Sequence, residues 1–304
     1  MYTRDTDDDQ RPRLESVEDF IRLFVACASS REVLVLDSAG TVRQRQLHLA
    51  MAHLRVFEHL VDLDSASQPV PGLALSWAPV DETTWEFKLR KNVRFHDGTP
   101  FTADDVVFSF QRLNEKGLPY AKDRFKTLES VTKLDDKRVR FKLKQPDAGF
   151  LLNLGSPFVV GSAILSQKWA QTHDPKREMM GTGPFKMVSY TPNQQLVLKR
   201  NDTYWNKEAA AKVSDLTIRY MPEQSAQIAA LKSGQIDLMF PSAEGKLQLK
   251  GDSAVTVVQV NSTNTVRLNI GTNRAPFDNV DVRRAISLAI NRPAMVQGAF
   301  LGEA

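Results

Sequence analysis

The residues able to do acid–base, nucleophilic or metal chemistry are present, but not in working arrangements. There are five histidines: His48, His53, His59, His96 and His173. His48/His53 and His53/His59 are five and six residues apart, so neither pair shares a helical face as a four-residue spacing would allow. No metal site is expected from them. His96 lies in Phe95-His96-Asp97-Gly98-Thr99-Pro100-Phe101, a run of turn-forming residues, and reads as a hydrogen-bonded turn residue. Asp104 and Asp105 follow Thr102, where negative charge in the first turn of a helix is favoured by unpaired backbone N–H groups. Thr102 and Asp105 also have capping-box spacing, which explains the two carboxylates without catalysis. Cys27 is the one cysteine, so no intrachain disulfide forms. It reads as a small core residue, because Asp7-Asp8-Asp9, Glu15, Glu18, Asp19 and Arg22 occupy the place of a lipoprotein signal's apolar stretch. No Gly-x-Ser-x-Gly elbow, P-loop or paired-cysteine site occurs. No catalytic residue, cofactor or metal ligand is expected, and the chain reads as a non-enzyme.

The elements around these residues are those of a globular α/β protein. The 304 residues are 42% hydrophobic and 25% charged, ordinary for a packed domain. No apolar run is long enough to cross a membrane as a helix. The net charge of +4 is dispersed, with no basic stripe of the kind nucleic acid requires. Residues 1–16 are polar and expected to be disordered. Apolar spacing predicts helices over Val17–Ala28 and Leu47–Leu63, with a buried strand at Glu32–Asp37 between them. Trp85, Phe87 and Leu89 alternate with Glu86, Lys88 and Arg90, which gives a strand with one apolar and one charged face. The pattern from Val80 to Arg90 returns from Leu134 to Lys144, and two hairpins of one antiparallel sheet are expected. A helix over about Ala103–Leu113 separates them.

Gly181-Thr182-Gly183-Pro184-Phe185 opens a strand pair, Lys186–Tyr190 with Leu196–Arg200, followed by a loop bearing Tyr204 and Trp205. A β-α-β unit is expected from Leu216–Tyr220, Glu223–Ser233 and Ile236–Phe240, its helix stopped by Gly234. Strands at Val255–Val260 and Thr265–Ile270 lead to a helix over about Val280–Ile290, with Val282, Ile286, Ala289 and Ile290 inward. Pro293 suits the start of a last helix.

Four stretches in this order resemble one family: Thr84–Val107, Gly181–Tyr190 with Leu196–Trp205, Ala229–Phe240, and Leu268–Val296. The family is bacterial extracellular solute-binding protein family 5, which includes dipeptide-, oligopeptide-, glutathione- and nickel-binding proteins of ABC importers. The resemblance covers about Val56–Ala304 and fades upstream. It implies an α/β fold: lobe I of a type II periplasmic-binding-protein-like structure, with a mixed β-sheet, an inserted α+β subdomain and the second lobe missing. The expected organisation is a poorly defined segment over 1–30 and a mixed-sheet subdomain over 31–63 and 180–275. The inserted subdomain takes 64–179, and a crossover begins over 276–304.

The same resemblance implies a substrate-binding subunit for peptides or another small solute, working with ABC permease subunits and not with nucleic acid. It implies a periplasmic location, although the chain shows no export signal. It places cleft residues on the strand before the crossover. There Arg267 would pair with a ligand carboxylate, while Asn269 and Asn273 would bond a peptide backbone. Tyr120 resembles a position that approaches ligand. Tyr204 and Trp205 read as structural. The competing readings are a regulator's ligand-sensing domain and a fragment without function. The acidic N-terminal region speaks against the first of these.

Overall fold

The computed structural model describes residues 2–4, 56–64, 66–114, 119–156, 160–174, 178–257, 268 and 270–302. The chain divides into two compact units, 14–220 and 1–13 with 221–304, and each is taken by itself. The predicted helix at Val17–Ala28 and strand at Glu32–Asp37 lie outside the described residues. Strand β1 (Tyr2–Arg4) belongs to the second unit.

The first unit starts with a ribbon of β2 (Val61–Leu63) and β3 (Pro69–Pro71), which pair antiparallel. Of the helix expected over Leu47–Leu63, residues 47–55 lie outside the described residues; Val56 is helical, and Val61–Leu63 is strand. Apolar residues in this short stretch suit either period, and pairing with β3 decides the outcome.

A four-stranded antiparallel sheet follows. Its strands are β4 (Ala74–Asp81), β5 (Thr84–Leu89), β6 (Leu128–Asp135) and β7 (Arg138–Leu143), in the order β4-β5-β7-β6. The two expected hairpins are thus joined through their second strands, with Glu86 opposite Arg140. Each hairpin turn is built alike: Asp81 accepts from the Thr83 N–H and Asp135 from the Lys137 N–H, both at 2.8 Å. At the centre, Arg140 Nη2 lies 2.6 Å from Glu86 Oε1. Both side chains are solvated, so Arg140→Met is expected to lower stability by under about 1 kcal/mol in a urea titration.

The other face carries the core. Phe87, Leu89, Val139, Phe141 and Leu143 are buried there. They pack beneath helix α1 (Ala103–Gln111), which brings Val106 and Phe110, and near helix α3 (Phe150–Gly155), which brings Phe150. Helix α2 (Pro119–Arg124) lies between them in sequence. Phe141 meets Phe110 edge-on at 4.9 Å and Phe87 at 5.1 Å, the arrangement ring quadrupoles favour.

Thr102 and Asp105 form the expected cap: Asp105 Oδ2 accepts from the Thr102 N–H at 2.8 Å. The same carboxylate also accepts from the N–H of Gln167, the first residue of helix α4 (Gln167–Ala170), at 2.9 Å. Burial pushes the Asp105 carboxyl above its ordinary range, against these backbone hydrogen bonds.

A second core in this unit lies under the antiparallel sheet β10-β9-β8, built from β8 (Phe185–Thr191), β9 (Gln195–Arg200) and β10 (Asp215–Arg219). Phe185, Leu196 and Leu198 pack there with Val56 and Phe57.

The second unit contains α5 (Gln224–Lys232), β11 (Leu238–Met239), α6 (Ala243–Leu249), β12 (Val255–Val257), α7 (Val280–Ala289) and α8 (Arg292–Phe300). Tyr2–Arg4, expected to be disordered, is instead the central strand of the sheet β11-β1-β12. A polar segment gains order here because neighbours on both sides satisfy its backbone. Gly234 sits at φ 74° just after α5, as expected of a helix stop. The expected β-α-β unit is corrected: β10 and β11 flank α5 in sequence but belong to different sheets. Ile228, Leu231, Met239 and Leu249 form a small core.

On α7 the expected inward residues Val282, Ile286 and Ile290 are half-buried, whereas Ala289 is exposed. Leu288 is 85% exposed and Met295 52%. Leu288→Lys is therefore expected to change stability by no more than about 0.5 kcal/mol. It should also raise the concentration at which the chain stays monomeric in light scattering.

Candidate functional site

The four residues singled out from the resemblance are not seen together. Tyr120 lies in the second position of α2, and its side chain is outside the described residues. Arg267 and Asn269 are outside them too, with most of the strand expected at Thr265–Ile270. Asn273 is described and exposed, in a turn after Gly271. Tyr120 belongs to one unit and Asn273 to the other.

The structure does resolve a junction that two sequence motifs build together. The Phe95–Phe101 turn and the Gly181–Phe185 turn dock onto one another. His96 donates its backbone N–H to Gly181 O at 2.9 Å. The Gly181 N–H points at His96 Nδ1 at 3.3 Å, and His96 Nε2 lies 3.0 Å from Gly183 O. With Nδ1 accepting, the proton must sit on Nε2, which donates to Gly183. Both ring nitrogens are thereby occupied by backbone. Burial pushes the imidazole down to about 4; the Gly183 bond and Asp97 oppose this, and the Lys186 ammonium adds to it. His96 is the turn residue expected from its motif.

On the other side, the chain at Val56–Glu58 closes on the Gly181–Gly183 turn. The Gly183 N–H donates to Val56 O at 3.0 Å. A Cβ on Gly181 would fall inside van der Waals contact with that carbonyl oxygen, 2.8 Å from its carbon and 2.9 Å from Phe57 Cδ1. Asn201 Nδ2 donates to Gly183 O at 3.0 Å, which ties the end of β9 to the turn.

Beyond Asn201, the Tyr204 hydroxyl donates to Glu58 Oε1 at 2.7 Å and Trp205 Nε1 to Glu58 Oε2 at 2.9 Å. The Arg90 guanidinium stacks on the Trp205 ring at 4.5 Å and donates through Nε to Gly72 O at 2.7 Å. Tyr204 is buried, and Trp205 packs against the core of the four-stranded sheet. These two aromatics are structural, as their place in the loop suggested. Burial pushes Glu58 up to about 7. The polar side chains of Thr182, Trp205 and Tyr204 oppose this, and the Asp62 charge adds to it.

Sequence reasoning missed Glu58. The available signal was a lone acid among Val56, Phe57, Leu60 and Val61. The arrangement holds parts together and offers no nucleophile. Among the described residues, no cluster of His, Cys, Asp and Glu could hold a metal ion, and no helix is long and apolar enough to cross a membrane.

Comparison with known proteins places the chain. Residues 68–304 match the family described as bacterial extracellular solute-binding proteins, family 5 Middle, and the chain belongs to that family. It is 32% identical to the heme-binding protein A of Haemophilus influenzae over 82% of this chain and 50% of that one. It is 33% identical to the probable D,D-dipeptide-binding periplasmic protein of Escherichia coli over 88% of this chain and 53% of that one. Among solved structures, the periplasmic binding protein of Helicobacter pylori in complex with the peptide STSA superposes with a TM-score of 0.69 at 28% identity. That match covers 88% of this chain and 55% of that one. The Campylobacter jejuni protein in complex with Ni(L-His) gives 0.70 at 25% identity, over 80% and 49%. The chain spans about half the length of the curated relatives it matches.

Proposed function

We propose that the chain provides one jaw of the substrate-binding subunit of an ABC importer, with peptides as its solute and the periplasm as its place of work. The observation that carries this is the likeness to a binding protein solved with a peptide, together with relatives that bind dipeptides. Capture and release to permease subunits, with no chemical change to the solute, fit a junction built wholly from structural bonds. Tyr120, Arg267, Asn269 and Asn273 are the proposed contacts. Arg267 would receive the peptide's carboxylate as a charge-assisted pair, and the two asparagines its backbone.

A clamp gains affinity from contacts made by both jaws on closure. The 304-residue chain alone is therefore expected to bind di- to tetrapeptides more weakly than micromolar. Calorimetry with a tripeptide, run beside NMR titration to millimolar peptide, tests both halves of this. Shifts at Asn273 and α2 that vanish in Arg267→Ala support the reading. Submicromolar binding by this chain would contradict the one-jaw proposal. Silence towards peptide, with saturation by heme or by a nickel–histidine complex, would overturn the peptide assignment.

A further inference from the structure

The first unit holds a cavity away from the Gly181–Gly183 junction. It opens between the end of α1, helix α2 and the start of β6, with a volume of about 330 Å³. That is the small end of the roughly 300–1,000 Å³ usual for ligand clefts. Local backbone bonds build it. After α2 the chain turns back, with the Leu128 N–H on Phe125 O at 2.9 Å, and the Lys144 N–H beyond β7 reaches Thr127 O at 2.8 Å. Phe110 meets Phe125 edge-on at 5.5 Å, which fixes the apolar lining. Buried Phe110, Leu113 and Phe125 contribute to that lining, together with half-buried Leu128 and Val131.

The rest of the lining is charged or polar. Lys122, Lys126 and Lys144 border the cavity with Asp123 and Glu129, beside Gln111 and Ser130. Lys144 Nζ donates to Lys126 O at 3.3 Å, which holds the Lys144 ammonium against the backbone of its neighbour. Elsewhere on this sheet, Lys133, Arg138, Arg140 and Lys142 each lie within 3.8 Å of a carboxylate oxygen. Among the described residues, none of the three cavity lysines forms such a pair. We propose that this cavity binds a small organic anion, a carboxylate on an aromatic or short alkyl body. The body lies against Leu128 and Val131, and Lys126 and Lys144 hold the carboxylate.

Both parts of such a ligand are needed. A bare anion gains only exposed lysines, whose attraction water and salt screen. A neutral apolar compound gains only a small apolar lining. A carboxylate with an apolar body gains both, and ammonium groups on flexible stems can follow it to more than one height. Three lysines against two acids leave the lining at +1, so an amine on the same body is disfavoured. The proposed peptide contacts lie elsewhere: Arg267, Asn269 and Asn273 belong to the other unit, and Tyr120 precedes Lys122 on α2. The proposal stands on the first unit alone, whichever solute the chain captures.

The test is an NMR titration of the full 304-residue chain, with leucine and valine methyl groups labelled and 4-phenylbutyrate as the probe. The Leu113, Leu128 and Val131 signals are expected to move together, with a Kd of about 1 mM, ordinary for a ligand of this size. Inorganic phosphate and 4-phenylbutylamine should leave them in place. Lys126→Gln combined with Lys144→Gln should weaken binding about three- to tenfold, with circular dichroism unchanged. Ser130→Trp adds bulk at an exposed position of the lining and should abolish binding. Arg267→Ala, aimed at the peptide contacts, should leave it unchanged, so this proposal and the peptide assignment fail separately. The proposal is overturned if the three methyl signals stay still, or if the amine binds as tightly as the carboxylate. Wild-type binding by the lysine double variant or by Ser130→Trp would do the same. So would shifts confined to exposed apolar residues such as Leu288, which would show unspecific adsorption.

Discussion

Replacing Gly181 by alanine is expected to destabilise the first unit by about 3–5 kcal/mol, a large part of the roughly 5–15 kcal/mol that holds a domain folded. The added methyl group has nowhere to go. It meets the Val56 carbonyl group and the Phe57 ring, and Val56 O is already held by the Gly183 N–H at 3.0 Å. Relief requires the Val56–Glu58 segment to move off the turn. That adds the cost of a broken buried hydrogen bond to the cost of overpacking. The same substitution at Gly298 should act in the opposite direction. Gly298 lies inside α8, and a methyl group added there would have nothing within 4 Å of it. Gly298→Ala should therefore stabilise its helix by about 0.5–1 kcal/mol. Urea midpoints followed by circular dichroism separate the two. Equal effects at both positions would show that the close approach at Val56 is not what Gly181 is there for.

That contrast also marks what a sequence conveys. The two hairpins were legible because alternation in Trp85–Leu89 and in Val139–Leu143 states which face is buried. The Thr102–Asp105 cap was legible because its spacing is its mechanism. The motifs around His96 and Gly181 were visible separately. Their docking was not, because the partners are 85 residues apart and nothing local signals the contact. Glu58 was hidden for a related reason: burial of a carboxyl group is set by Tyr204, Trp205 and Thr182, none of them near in sequence. Strand β1 was missed because Tyr2–Arg4 has no pattern of its own; its order comes from β11 and β12. The ligand contacts rest on family resemblance, since the position of Arg267 in a strand does not specify what it faces.

The two buried titratable groups on either side of the Gly181–Gly183 turn should give the chain a pH profile in which opposite effects cancel. His96 is held down at about 4, against an ordinary 6.5. Between those values the unfolded chain binds the extra proton. The stabilisation is present in full above pH 6.5 and is lost as pH falls towards 4. Glu58 is held up at about 7 against 4.5. Between those values the folded chain binds the extra proton, so its stabilisation is present in full below pH 4.5 and is lost as pH rises to 7. Each shift corresponds to about 3 kcal/mol over its window. From pH 4.5 to 6.5 the two slopes oppose each other at close to one proton apiece, and wild-type stability should be nearly level. Asp81, Asp135 and Asp202 are lowered from 3.8, so they titrate below this window. Asp105, raised by burial, adds to the Glu58 direction. Single substitutions remove one slope and expose the other. Glu58→Gln should leave stability rising by about 2 kcal/mol between pH 4.5 and 6.5, and His96→Gln should leave it falling by a similar amount. The slope is the readout, so any fixed cost of either substitution drops out. Parallel, flat profiles in both variants would mean that neither group keeps its shifted proton affinity in the folded chain, and that the turn is gripped by neutral hydrogen bonds alone.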